Sequence, residues 1–142
     1  MVEIVKLERW HLEVLLSEGY IEPDVYSVCY ANYNFEQPSI TVLVDGVVCG
    51  CGGIFELWDG VAEGWSILTN RMKQKPKTLV TAFKKYFACI ENDYYRIQIT
   101  VDEEDHTAVK FAEYLGFTFE GRMLYYGPNK ETHLRYARLY HG

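Results

Sequence analysis

The 142-residue sequence lacks the features that assign a chain to a membrane or to nucleic acid. No apolar run approaches the roughly 20 residues needed to cross a bilayer. The first ten residues, MVEIVKLERW, lack the apolar segment of a signal peptide. Basic residues are few, with 14 Lys and Arg against 20 Asp and Glu and a net charge of -6, whereas nucleic-acid-binding domains are usually basic. We therefore expect a cytoplasmic protein with no nucleic-acid partner and no membrane partner.

The sequence also lacks a cysteine pattern for metal or disulfides. Its four cysteines are Cys29, Cys49, Cys51 and Cys89, with no Cys-x-x-Cys pair and no His at ligand spacing. Cys49 and Cys51 would lie on the same face of one strand, which is poor geometry for a disulfide. We expect four free thiols, mostly buried, and no metal.

Repeats, low-complexity segments and linkers are missing as well, and the length suits one domain over residues 1–142. Hydrophobicity patterns and turn residues predict strands at 2–7, 39–44, 47–57, 61–68, 95–101, 117–126 and 132–140. They predict helices at 8–17, at 22–31, from Pro76 to about residue 92, and at 105–115. The order β-α-α-β-β-β-α-β-α-β-β indicates an α/β (α+β) domain with a mixed sheet and helices on both faces. Asp45-Gly46 predicts a tight hairpin, and the glycines Gly50, Gly52 and Gly53 predict a bulge or a close backbone approach.

A basic loop precedes the longest helix. Residues 69–77 hold four of the fourteen basic residues, and Pro76 favours a first helical position. The helix then places five apolar residues on one face: Leu79, Phe83, Tyr86, Phe87 and Ile90. Free backbone N–H groups and the helix dipole suit an anion here, although most loops of this kind bind nothing.

The segment from Asp105 to Phe117, DHTAVKFAEYLGF, is followed by Glu120-Gly121. Together with the element order, it resembles the GNAT superfamily of acetyl-CoA-dependent N-acyltransferases. Members typically carry Asn-x-x-Ala, then Leu-Gly-Phe-x-x-Glu-Gly, in this region. Asp105 stands where Asn is usual.

The resemblance implies acetyl-CoA as cofactor, but the cofactor loop departs from the family pattern. That pattern is Arg or Gln, two residues, Gly, one residue, and Gly or Ala. If Arg71 leads, Gln74 and Pro76 take the small-residue positions; if Gln74 leads, Lys77 and Leu79 take them, so neither register supplies a glycine. The implied cofactor residues are Leu68, Arg71, Lys73, Gln74, Lys75, Lys77, Thr78, Asp105 and Phe111. The alternative is that this site has decayed and the lysines are a solvated surface.

Glu63 is the catalytic base that the resemblance implies, drawing a proton from the amine through water. Its alternative is an ordinary solvent-facing strand residue. Trp65 lies two positions further on, so it shares a strand face with Glu63. His106 and His133 are less favoured bases.

The general acid of the family is missing from its usual place. Many members carry a Tyr four residues before the glycine that ends the last helix, where this chain has Ala112. Tyr114 lies roughly 200° around the helix from that position. Tyr20, Tyr125, Tyr126 and a thiol stay open as replacements.

Two functions follow from the resemblance. The first is an acetyl-CoA-dependent N-acetyltransferase that transfers acetyl to an amine, from a small molecule or a protein Lys, by direct attack. The second arises because the chain also resembles, more weakly, small GNAT-like proteins of short-tailed phages. It is a catalytically degenerate protein that serves as a virion component or binds a host protein, located in the host cytoplasm or the virion. The oligomeric state stays open.

Overall fold

A computed structural model describes residues 1–140 of the chain. The seven strands are β1 Val2–Lys6, β2 Ser39–Val44, β3 Val47–Trp58, β4 Val61–Leu68, β5 Arg96–Asp102, β6 Thr118–Met123 and β7 His133–Leu139. The five α-helices are α1 Arg9–Ser17, α2 Pro23–Val25, α3 Asn70–Lys73, α4 Pro76–Ile90 and α5 His106–Tyr114. The strands form one sheet in the order β1-β2-β3-β4-β5-β7-β6. None of the helices in residues 1–140 is both long and apolar enough to cross a membrane.

The mixed α/β architecture and the element order agree with the sequence prediction, and three segments differ from it. The helix predicted over 22–31 is one α-turn, Pro23–Val25, followed by the π-helix Tyr26–Tyr30. The predicted basic loop contains the short helix α3. The strand predicted over 117–126 ends at Met123.

Contacts divide the chain into two compact units, each discontinuous in sequence. The first comprises Met1–Ile54 and Ser66–Ala82, and the second comprises Phe55–Trp65 and the described chain from Phe83 onward. The single domain expected over residues 1–142 stays a prediction.

The first unit is built on an antiparallel hairpin. Asp45 and Gly46 have φ values of 51° and 80°, the left-handed values that a tight hairpin turn requires. Val42 pairs with Gly50 and Leu43 with Val48, so Cys49 is an extra residue in β3. Of the two alternatives predicted from the glycines, a bulge is therefore present beside Gly50.

The second unit holds most of the predicted apolar face of α4. Phe83, Tyr86, Phe87 and Ile90 are all buried there. Tyr86 and Phe87 meet at a ring-centroid distance of 5.3 Å with an edge-to-face tilt of 72°, which is a favoured aromatic geometry. Burial of each such side chain contributes about 1.5–3 kcal/mol. Leu79, the first residue of this face, is buried in the first unit.

The cysteines are all free thiols, as predicted, but only half of them are buried. Cys49 and Cys51 are buried in β3, and burial raises the pKa of Cys51 well above its ordinary value. Cys29 and Cys89 are exposed. The prediction that most thiols are buried is therefore wrong, because it rested on the general tendency of free cysteines to be buried and not on the environment of each one.

Candidate active site

The pairing of β4 with β5 stops partway along both strands. Val61 pairs with Arg96, and the last parallel pair in the described chain is Glu63 with Gln98. The strand β5 nevertheless continues to Asp102. At Gly64, the next residue of β4, a Cβ atom would lie 2.9 Å from Cγ2 of Ile99. The absence of a side chain at Gly64 therefore permits the close approach of Ile99 at the point where the ladder ends.

Glu63 lies at this last pair and is held by two side chains. Gln98 Nε2 donates to Glu63 Oε1 at 2.9 Å. Arg135 Nη1 donates to Oε1 at 2.8 Å and to Oε2 at 3.0 Å. The Glu63 and Arg135 side chains are 22% and 20% exposed. Since a carboxylate oxygen accepts about two hydrogen bonds, Oε2 retains room for one more donor.

The contacts of Glu63 continue into a chain of polar side chains across the second unit. Gln98 Oε1 accepts from Arg96 Nε at 2.8 Å. Arg96 Nη1 donates to Glu120 at 3.1 Å. This contact raises the pKa of Arg96 and lowers the pKa of Glu120. Each end of the chain is thus an ion pair, with Gln98 linking them.

Sequence reasoning missed Gln98, Arg96 and Arg135. Residues two apart on a strand share a face, so the alternation in β5 places Arg96 beside Gln98. Arg135 lies opposite Thr100 in the β5–β7 ladder. The alternation was visible in the sequence, but the strand register that brings Arg135 to Glu63 was not.

The predicted cofactor loop belongs to the first unit and is ordered by Thr69. The buried Thr69 hydroxyl donates to the Cys49 carbonyl at 2.6 Å and accepts from Met72 N at 3.3 Å. It therefore caps α3 and fixes this helix to the β3 bulge. A Thr at the start of this segment was the signal for a helix that the loop prediction overlooked.

Arg71 is engaged within the first unit. Its Nη2 donates to Glu18 Oε1 at 3.0 Å and to the Val48 carbonyl at 2.8 Å. The hydrogen bond to Glu18 raises the pKa of Arg71. These contacts give Arg71 a structural role, and its predicted role in cofactor binding stays a prediction.

The other predicted cofactor residues of the first unit differ in exposure. Lys73, Gln74, Lys75 and Lys77 are exposed, whereas Leu68 and Thr78 are half-buried. Lys75 and Lys77 flank Pro76, where α4 begins. A cofactor role for each of these residues stays a prediction.

Asp105 and Phe111 belong to the second unit and shape α5. Asp105 Oδ1 accepts from Ala108 N at 3.1 Å and caps the helix. Phe111 packs edge-to-face on Phe83, with 5.5 Å between ring centroids. After the helix, Gly116 has φ 86°, and Phe117 N bonds back to Ala112 O at 3.1 Å. The glycine therefore ends the helix as predicted.

No protein-family model and no curated protein matches the sequence. Solved structures do match the fold. A putative phosphinothricin N-acetyltransferase superposes with a TM-score of 0.73 at 12% identity, covering 100% of both chains. A GNAT-family acetyltransferase from Bacillus anthracis gives 0.67 at 18% identity, covering 97% of this chain and 94% of that one. A spermidine/spermine N-acetyltransferase from Vibrio cholerae gives 0.68 at 20% identity, covering 97% and 92%.

The chain has the GNAT fold. At these identities the similarity concerns the fold. On this GNAT scaffold, Ala112 is 2% exposed and Tyr114 is 72% exposed, so the two positions face different environments, as the helical spacing predicted. Tyr20 accepts a hydrogen bond from Asn70 N at 3.2 Å.

Four further side chains that the sequence analysis singled out for the active site lie in the second unit: Tyr125, Tyr126, Trp65 and His106. Tyr125 and Tyr126 are exposed in the β6–β7 loop, and Tyr125 has a left-handed φ of 60°. Trp65 is half-buried and packs near Phe55, with 6.2 Å between ring centroids. His106 is exposed at the first turn of α5. None of these side chains identifies a general acid.

Proposed function

We propose that the chain is an N-acetyltransferase that transfers acetyl from acetyl-CoA to a primary amine. The observation that supports this most is a carboxylate at the end of a parallel ladder. The β4–β5 pairs stop at Glu63 and Gln98, and the Glu63 carboxylate lies at that point. An interrupted ladder leaves backbone groups for a ligand, and a carboxylate beside it supplies a proton acceptor.

Glu63 acts in this proposal through its less occupied oxygen. Arg135 and Gln98 hold Oε1, whereas within residues 1–140 Oε2 accepts only from Arg135. A water bound at Oε2 takes the proton of the attacking amine and passes it to the carboxylate. Arg135 and Gln98 keep the carboxylate in a fixed orientation, which proton transfer requires.

The reaction is direct attack. The neutral amine nitrogen attacks the thioester carbonyl carbon, and a backbone N–H of β4 stabilises the carbonyl oxygen as it becomes negative. The C–S bond then breaks, the amide forms, and the thiolate of CoA leaves. Because Ala112 fills the usual position of the acid, the thiolate takes its proton from solvent, which lowers the rate compared with a positioned acid.

Acetyl transfer is tested with acetyl-CoA and a panel of amines that contains polyamines, amino acids and a lysine peptide. Mass spectrometry follows the acetylated products, and calorimetry follows cofactor binding. Glu63→Gln is expected to lower kcat about 10²–10⁴-fold without changing the affinity for acetyl-CoA. Glu13→Gln, an exposed carboxylate on α1, is the matched control and should retain activity. Lack of acetyl-CoA binding together with lack of product would refute the proposal.

A second candidate is a binding module without catalysis on the same fold. Two observations favour it: the position of the usual acid is a buried Ala112, and the loop of residues 69–77 contains no glycine. This candidate predicts capture of a protein partner that survives Glu63→Gln, with no acetylated product from any amine. The likeness to phage proteins, and a virion or host protein as the partner, stay predictions.

A further inference from the structure

Three potential metal ligands meet where β5 ends and β7 begins, within the second unit. They are Asp102, Glu131 and His133, and one donor atom of each lies within 4.8 Å of the other two. Asp102 and His133 are direct partners in the antiparallel ladder, so their side chains project from the same face. All three are half-buried.

Each carboxylate is oriented by hydrogen bonds from the backbone. Asp102 Oδ1 accepts from Glu104 N at 2.9 Å, which leaves Oδ2. Glu131 Oε2 accepts from Asn129 N at 2.9 Å, and Glu131 Oε1 faces His133 Nε2 at 3.4 Å. Such outer contacts are what fixes ligating carboxylates in metal sites.

His133 completes the group and is itself constrained. Its Nε2 lies 3.4 Å from Glu131 Oε1, a separation typical of two ligands on one ion with bonds of about 2.1 Å. Its Nδ1 is buried and has no hydrogen-bond partner among residues 1–140. The Tyr126 ring lies against the imidazole, with 5.3 Å between centroids.

Within residues 1–140, the cationic group paired with Glu131 is His133 itself, which offsets the carboxylate charge only when the imidazole is protonated. In the described part of the chain, no Lys or Arg is ion-paired with Asp102 or Glu131. Two carboxylates at this separation repel each other, and a cation between them removes the repulsion. We propose that Asp102, Glu131 and His133 bind a divalent transition-metal ion.

One imidazole with two carboxylates suits Zn²⁺, Co²⁺ or Mn²⁺ better than Mg²⁺ or Ca²⁺, which prefer oxygen ligands alone. Ligands on one ion at about 2.1 Å lie at most about 4.2 Å apart, and the three donor atoms lie within 4.8 Å of one another before any ion is bound. The expectation of no metal came from Cys and His spacing in sequence, and this group arises from strand pairing instead.

The test is calorimetric titration of the untagged protein with ZnCl₂, MnCl₂ and MgCl₂. The background carries Cys29→Ser and Cys89→Ser, because these exposed thiols also bind Zn²⁺. We expect one equivalent of Zn²⁺ to bind more tightly than Mn²⁺, with little heat from Mg²⁺. Metal binding should also raise the melting temperature.

The variants identify the ligands. His133→Gln and Glu131→Gln should each weaken Zn²⁺ binding at least about tenfold, with circular dichroism used to verify folding. His106→Gln, which changes an exposed histidine of α5, should leave the affinity unchanged. The proposal is overturned if the Cys29→Ser/Cys89→Ser protein shows no saturable one-to-one Zn²⁺ binding, or if both ligand variants made in that background bind Zn²⁺ as tightly as it does.

Discussion

The ion pair between Glu63 and Arg135 can be measured directly by a double-mutant cycle. The cycle consists of Glu63→Gln, Arg135→Met and the double variant. In the structure Arg135 Nη1 contacts both carboxylate oxygens, at 2.8 and 3.0 Å. Met keeps most of the length of the Arg side chain and removes its charge, and Gln keeps the shape of Glu.

The expected magnitude follows from the partial burial of the pair. Exposed ion pairs contribute about 0–1 kcal/mol, whereas removing one partner of a fully buried pair costs about 3–5 kcal/mol. The two side chains are 22% and 20% exposed, so each single variant should lower the free energy of unfolding by about 1–3 kcal/mol. The coupling energy should be about 1–2 kcal/mol, within the range for residues in contact.

Urea unfolding followed by circular dichroism and tryptophan fluorescence gives the four free energies. The titration is repeated at low and high NaCl, and the coupling should persist in salt because the pair is mostly shielded from solvent. The exposed pair of Arg122 and Glu103, at 2.9 Å, serves as the comparison cycle and should show smaller, salt-sensitive coupling. Additivity within about 0.3 kcal/mol for Glu63 and Arg135 would show that the pair does not form in solution and would refute this account of the site.

Three further predictions concern single positions. Thr69→Val removes a buried hydroxyl that donates to the Cys49 carbonyl at 2.6 Å and caps α3. Urea unfolding should show a loss of about 1–3 kcal/mol in the free energy of unfolding, and Thr69→Ser, which keeps the hydroxyl, should show a smaller loss. Gly64→Ala places a Cβ 2.9 Å from Ile99 Cγ2 and should destabilise by about 1–3 kcal/mol; an unchanged urea midpoint would contradict the close approach. Burial lowers the pKa of His11 from 6.5, so below about pH 6.5 the unfolded state binds more protons and the free energy of unfolding should fall as pH decreases. His11→Asn should reduce the pH dependence of the free energy of unfolding between about pH 7 and pH 5. An unchanged pH dependence would show that another group causes it.

Predictions of element order succeeded where a residue type dictates the backbone locally. Asp45-Gly46 occupies the left-handed region that a tight hairpin needs. Pro76 begins α4, and Gly116 follows the end of α5. At these positions the local chemistry restricts φ or removes a hydrogen-bond donor, so distant contacts are not needed to decide the structure.

Prediction failed where the extent of an element depends on a partner. The apolar residues Leu124 to Tyr126 continue the β6 pattern, but the β6–β7 ladder ends with Met123 opposite His133. Without a strand to pair with, this segment turns, and Tyr125 takes a left-handed φ of 60°. Strand length is therefore set by the register of the partner, which no periodicity in β6 itself encodes.

The candidate site shows the same limit. The family resemblance pointed to Glu63, but its main partner, Arg135, lies 72 residues further along the chain. An Arg on an alternating strand is typical of a solvent-facing position, and only the order β4-β5-β7 brings it to Glu63. The sequence could therefore point to the Glu63 carboxylate, but it could not show which side chains surround it.

That environment determines how a catalytic role for Glu63 can be distinguished from a structural one. Gln98 and Arg135 together occupy Oε1, and a single acceptor direction remains on Oε2. If Glu63 has only a structural role, its existing hydrogen bonds to Gln98 and Arg135 are sufficient. If Glu63 is a base, it also needs the remaining acceptor direction on Oε2 for a water that carries the proton. The double-mutant cycle measures the strength of the Glu63–Arg135 ion pair, and turnover of Glu63→Gln measures whether the carboxylate is needed for proton transfer. Strong coupling with no acetylated product would therefore identify Glu63 as a residue that stabilises the sheet, while strong coupling with a loss of kcat would show that the ion pair orients a working base.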